Sequence, residues 1–169
     1  QVEPFLKQVQ ICGWMEVAPE GGESQERDAA SADSTSQKPE NAPEDGVAQR
    51  KTVKTGGLYY ELYPQETQKG TIVISYGFTE SCLKYHELIY YFYLQGYQVA
   101  IMDHRGHGKS MREVEDHTIV HIGLFSRYVK DLHRFVKTVV KPMAKDLPLY
   151  LYAHSMGGCI GAFYLEQYP

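Results

Sequence analysis

Apolar residues along this chain fall into short blocks separated by polar or glycine-rich connections, and the period of each block predicts an element. Thr71-Ile72-Val73-Ile74-Ser75 and Tyr97-Gln98-Val99-Ala100-Ile101-Met102 are nearly continuous apolar runs, as a parallel strand covered on both faces requires. Leu147 to Ala153 is a third run of strand type, rich in Leu and Tyr. Between the first two, Leu88, Ile89, Phe92 and Tyr93 recur at helical spacing within Ser81 to Gln95, and Gly96 is placed to end that helix. Between the second and third, Phe125, Tyr128, Val129, Leu132, Phe135, Val136 and Val139 share one face of a helix predicted from Leu124 to Val140, which Pro142 stops. A last helix follows Ser155 and runs through Gln167. Upstream, Gly56 and Gly57 separate the strand-like runs Lys51 to Thr55 and Leu58 to Tyr63. This is a hairpin signal, because a two-residue turn needs positive φ at its centre, and Pro64 ends the second strand. Alternating strands and helices predict an α/β fold with a mainly parallel sheet, flanking helices and an N-terminal antiparallel hairpin.

Composition divides the chain into three parts. Gln1 to Val17 carries Phe5, Leu6, Ile11, Trp14 and Met15, enough to dock on a domain but too few to fold alone, and reads as a lead-in. No basic leader followed by an apolar stretch occurs there, so no secretory signal is read. Ala18 to Gln49 lacks aromatic residues and holds eight acidic residues against two basic; it reads as a disordered acidic insert or linker. Residues 50–169 carry the periodic elements. The formal net charge of −4 sits largely in the insert and argues against nucleic-acid binding. Three cysteines without a C-x-x-C pair point to reduced thiols and a cytoplasmic setting.

The strand ending at Ala153 runs directly into Ser155 and a small-residue helix start, Met156-Gly157-Gly158. A serine at such a corner is held on a strained turn with its hydroxyl pushed out above the sheet edge, which requires small residues two before and two after it. Ala153 and Gly157 meet that requirement as A-H-S-M-G. The same residues also suit a plain strand, turn and Gly-rich helix with an incidental serine. The Met156 N–H faces the space before Ser155, and the Phe78 N–H, in the Gly77 turn after the Thr71–Ser75 strand, comes from the same sheet edge. Two such amides form an oxyanion hole for acyl transfer. Gly158 and Gly161 are expected to let the helix approach the sheet. Gly106 and Gly108 shape the loop Asp103 to Ser110, with Asp103 tying down its backbone. Gly108-Lys109-Ser110 lacks the earlier glycine of a phosphate-binding loop. His117 and His121 have the spacing of a helical pair but no acidic or Cys partner for a metal. His154 adjoins Ser155, but successive residues leaving a strand point oppositely, so its ring is not expected to serve as base. His86, His104 and His107 are looser candidates.

The segments ISYGFTES, KYHEL, GYQVAIMDHRGHGKS, YVKDLHRFV and LYLYAHSMGGCIGAFYLEQYP together resemble the monoacylglycerol lipase and lysophospholipase branch of the α/β-hydrolase superfamily, often labelled serine aminopeptidase-like, over Tyr59 to Pro169. The resemblance implies that Ser155 is the nucleophile and that Phe78 and Met156 supply the oxyanion amides, with no metal or organic cofactor. It implies a lipid or other small ester substrate and, through that substrate, peripheral contact with a membrane. The usual His-Gly before the oxyanion residue is Tyr76-Gly77 here, which is expected to alter the acyl pocket while sparing the backbone donor. In this superfamily the acid and the catalytic His follow the nucleophile, so the chain reads as the front half of a hydrolase, inactive alone. The alternative is a non-catalytic α/β module that binds an acyl ligand or a partner.

Overall fold

The computed structural model describes residues 2–17, 56–66 and 69–169. The acidic segment of residues 18–49 and the run 51–55 lie outside the described residues. In chain order the elements are α1 (Val2–Val9), β1 (Ile11–Met15), β2 (Leu58–Tyr63), β3 (Thr71–Ser75), a 3₁₀ turn (Cys82–Tyr85), α2 (His86–Leu94) and β4 (Gln98–Met102). They continue with α3 (Ser126–Phe135), a π turn (Val136–Val140), α4 (Lys141–Ala144), β5 (Leu149–Ala153) and α5 (Met156–Gln167).

The five strands form one sheet in the order β1-β2-β4-β3-β5. β1 and β2 are antiparallel, as are β2 and β4, whereas β3 is parallel to both β4 and β5. An antiparallel pair, β1 and β2, fronts the sheet; the first strand of the expected hairpin lies outside the described residues, and the outer side of β2 is taken by β1, drawn from the lead-in. Gln1 to Val17 thus contributes a helix and an edge strand. Leu6 of α1 is buried, and the Phe5 ring packs edge-on against Tyr90 and Tyr93 of α2.

Strand alternation sorts the core into two layers. Tyr59, Tyr63, Ile72, Ile74, Val99 and Ile101 pack with Leu6 and Ile89 on one face. Leu58, Leu62, Val73, Ala100 and Met102 pack with Tyr128, Leu132, Phe135 and Ile160 on the other. Both faces of β3 and β4 are covered, which explains their unbroken apolar runs. The connection from β3 to β4 passes through α2 on the first face, and that from β4 to β5 through α3 on the second. The chain thus reverses direction across the sheet between β3 and β5, the place where open α/β sheets leave a crevice at the carboxyl ends of their strands.

Pro142 does not stop the third helix. The turn widens over Val136–Val140, which accommodates the missing N–H and the ring of Pro142, and the helix continues to Ala144 before Lys145 breaks it at φ +56°. No helix among the described residues is long and apolar enough to cross a membrane.

Candidate active site

Ser155 adopts φ +52° and ψ −121° between β5 and α5, a conformation L-residues rarely take. Such a backbone persists only where packing imposes it, and Gly157 shows how. A Cβ there would lie 2.0 Å from the Ser75 carbonyl oxygen and 2.6 Å from that of Tyr76, so the start of α5 is pressed against the end of β3. Gly161 makes the second close approach, its Cβ position 2.7 Å from Leu151. Gly158, expected to share this task, faces open space. Ala153 fills the small position before the corner, closing the parallel β3–β5 ladder opposite Ser75.

The Gly157 and Gly158 amides are used inside the corner, donating to the carbonyls of His154 (2.9 Å) and Ser155 (2.8 Å). Met156 is the first helical residue, whose N–H has no intrahelical acceptor. Phe78 lies in the turn after β3, where Thr79 takes φ +60°. Neither the Phe78 nor the Met156 amide donates a hydrogen bond among the described residues. The two turns meet at Gly77, where a Cβ would lie 3.1 Å from the Cβ of Ser155. The structure therefore brings together Ser155, Met156, Gly77 and Phe78 at the carboxyl ends of β3 and β5.

The loop after β4 supports this corner from behind. Asp103 is buried; its Oδ1 accepts the Tyr76 hydroxyl (2.9 Å) and the Cys82 amide (2.8 Å), and its Oδ2 accepts the Lys109 amide (2.8 Å). Gly106 and Gly108 take φ +77° and +48°, and a Cβ on Gly108 would fall 2.1 Å from Asp103 Oδ2. The Tyr76 side chain is fully buried, and its hydroxyl donates to Asp103 and accepts the His104 amide. Arg105 makes a bidentate pair with Asp131 of α3 (2.6 and 2.8 Å) and also reaches Glu113, locking the loop to the helix.

None of the histidines raised by the sequence hydrogen-bonds Ser155 among the described residues. His86 is held between Glu3 Oε1 (2.6 Å) and Glu61 Oε2 (2.9 Å). His104 is buried, and burial together with neighbouring His107 pulls its pKa down to about 4, so it is neutral at pH 7. His107 donates from Nδ1 to the Arg105 carbonyl (3.0 Å) and sets its ring edge-on to Phe78 at 5.6 Å. His117 and His121 lie in an irregular segment rather than on a helix, and no cluster of three metal-ligating side chains occurs among the described residues. His154 turns away toward Glu80, its Nδ1 3.4 Å from Glu80 Oε2.

Glu80 was not singled out by sequence reasoning. Its side chain is 10% exposed and accepts the Gly77 amide (2.8 Å) and the Tyr85 hydroxyl (2.7 Å), besides pairing with Lys84. Burial opposes its ionisation, but Lys84, Tyr85 and the Gly77 amide outweigh that and hold its pKa near about 2. The available signal was an acid three residues after a turn glycine, the spacing at which a side chain folds back on the turn's first N–H.

The family model described as serine aminopeptidase, S33, matches residues 66–169. Lysophospholipase L2 of Escherichia coli (strain K12) is 41% identical over 98 residues, covering 58% of this chain and 28% of that protein. Monoglyceride lipase of Mus musculus is 34% identical over 108 residues, covering 63% of this chain and 33% of that protein. A thermostable carboxyl esterase from Bacillus coagulans superposes with a TM-score of 0.55 at 28% identity, covering 69% of this chain and 37% of the esterase. A monoglyceride lipase of Saccharomyces cerevisiae superposes with a TM-score of 0.53 at 27% identity, covering 71% and 39%. The chain spans about a third of the length of the curated relatives it matches.

Proposed function

The chain belongs to the serine aminopeptidase, S33, family of α/β-hydrolases, and from that premise we propose that it carries the nucleophile and oxyanion hole of a carboxylic ester hydrolase acting on monoacylglycerols or lysophospholipids. The observation that carries this reading is the strained backbone of Ser155, φ +52°, at a corner where Gly157 packs against β3. The names of the relatives, lysophospholipase and monoglyceride lipase, support the substrate class.

In this reading Ser155 Oγ attacks the acyl carbonyl while the Phe78 and Met156 amides receive the charge that develops on its oxygen, and water resolves the acyl-enzyme. A general base takes the Ser155 proton. The superfamily places that histidine and its acid after the nucleophile, and residues 156–169 contain no His. We therefore expect the 169-residue chain alone to turn over esters very slowly, and a full-length form with a histidine and an acid after Ser155 to hydrolyse 1-monoacylglycerol or lysophosphatidylcholine. Fatty-acid release by both proteins, each compared with its Ser155→Ala variant, tests this. Loss of about 10⁴-fold or more in kcat for the full-length variant is expected. Full activity surviving Ser155→Ala would remove the serine from the mechanism. Ser155-dependent turnover by the short chain would place a working base among the histidines present.

A further inference from the structure

Gly77 is enclosed by three side chains from two different turns. A Cβ on it would lie 3.1 Å from His154 Nδ1, 3.1 Å from Ser155 Cβ and 3.2 Å from Glu80 Oε2. Glu80 thus reaches the corner that holds the nucleophile while belonging to the turn that holds Phe78. We propose that Glu80 is a positioning residue for this turn, fixing the peptide whose N–H, on the reading of Ser155 as nucleophile, stabilises the oxyanion.

Neighbouring peptide planes hold the Phe78 N–H in place. The Phe78 N–H belongs to the 77–78 peptide, whose orientation is set by rotation at Gly77, a residue with no side chain to restrict it. The plane before it is held because the Gly77 N–H donates to Glu80 Oε2 at 2.8 Å. The plane after it is held because the Thr79 hydroxyl donates to the Phe78 carbonyl at 2.7 Å, with Thr79 at φ +60°. With both neighbours fixed, the 77–78 plane has little freedom to rotate its N–H away from Ser155. Glu80 is itself held by the Tyr85 hydroxyl at 2.7 Å and by Lys84.

A negative group near a forming oxyanion opposes it unless its charge is compensated. Lys84 pairs with Oε1, and the Tyr85 hydroxyl and Gly77 amide bind Oε2, so the charge facing the corner is compensated. His154 Nδ1, 3.4 Å away, adds a further polar neighbour from the elbow side.

Two readouts test the assignment, one independent of activity. In the 169-residue chain, amide hydrogen exchange compares wild type with Glu80→Ala and Glu80→Gln. Glu80→Ala should speed exchange at Gly77, whose N–H Glu80 accepts, by about tenfold or more while the β3 and β4 amides keep their rates. Glu80→Gln keeps an acceptor oxygen and should retain most of the protection. Unchanged exchange at Gly77 in Glu80→Ala overturns the proposal. In the full-length protein, with reactive serines counted by a fluorophosphonate, Glu80→Ala should lower kcat per reactive site about 100-fold, with KM for a short 4-nitrophenyl ester within about threefold. Glu80→Gln should recover to within about tenfold of wild type. An unchanged kcat in Glu80→Ala beside an inactive Ser155→Ala sinks the positioning role and keeps the nucleophile. Activity that survives Ser155→Ala, or its absence in wild type, counts against the functional reading, and exchange alone then decides the role of Glu80.

Discussion

Two glycines and a serine set the geometry of the candidate site. At Gly157 the nearest obstacles to a methyl group are the carbonyl oxygens of Ser75 and Tyr76, which are backbone and cannot rotate aside. Gly157→Ala should therefore cost about 1–3 kcal/mol as the start of α5 is forced off β3, seen as a lower urea midpoint. The same substitution at Gly158, which faces open space, should leave the midpoint essentially unchanged or raise it. Equal effects at the two positions would mean that α5 does not approach β3 as described. His154 shows the value of residue-level geometry: although adjacent to Ser155, it is committed to Glu80 and half exposed, so adjacency alone does not make a dyad.

Among the elements, α1 is joined to the sheet by a chain of charged groups, buried at Glu61 and His86 and exposed at Glu3. Glu3 of α1 and Glu61 of β2 lie on opposite nitrogens of His86 at the start of α2, and Glu61 also accepts the Tyr59 and Tyr63 hydroxyls. The bond to Glu61 raises the His86 pKa; burial opposes the rise and Glu3 adds to it. For Glu61, burial is outweighed by His86, Tyr63 and Tyr59, and its pKa is lowered. The tyrosines are pushed up, mainly by burial, and stay neutral. A raised histidine stabilises fully below its unfolded value of about 6.5 and loses that contribution as pH rises through the folded value. A lowered carboxylate stabilises fully above about 4.3 and loses that as pH falls through its folded value. Both contributions are complete between about pH 4.5 and 6.5. The urea midpoint should fall as pH rises from 6.5 toward 8.5, and His86→Gln should flatten that slope. A wild-type midpoint constant across that range contradicts the clamp.

For the whole molecule, the asymmetry of the sheet matters most. β3 and β4 are covered on both faces, while β5 has one strand neighbour among the described residues and exposes Leu149, Tyr150 and Tyr152. An apolar strand with free backbone groups on its outer side is a template for pairing with another chain. The 169-residue protein should self-associate in a concentration-dependent way through this edge, as sedimentation velocity would show. Tyr150, 48% exposed, meets the Tyr97 ring edge-on, so Tyr150→Lys should lower the associated fraction without unfolding the sheet. Association that is indifferent to this change would place the contact elsewhere.

The local pattern of residues was sufficient for β3, β4, α5 and the corner at Ser155, because strand alternation, helical spacing and the need for small residues around a strained turn all act within a few positions of the chain. It also placed Asp103, Gly106 and Gly108 in one shaped loop, since a turn of that kind is closed by its own residues. Tertiary structure decided what depends on distant partners. The outer neighbour of β2 is β1, some 45 residues earlier, and no local signal encodes which segment takes a free edge. The helix passes Pro142 because α3 and the π turn are held by a core built from every strand, and packing over that length outweighs one lost hydrogen bond. Tyr76 ties the loop after β4 to the end of β3, and Glu80 joins the Gly77 turn to the elbow. Both roles arise where the carboxyl ends of parallel strands converge, at separations along the chain that sequence periodicity does not span.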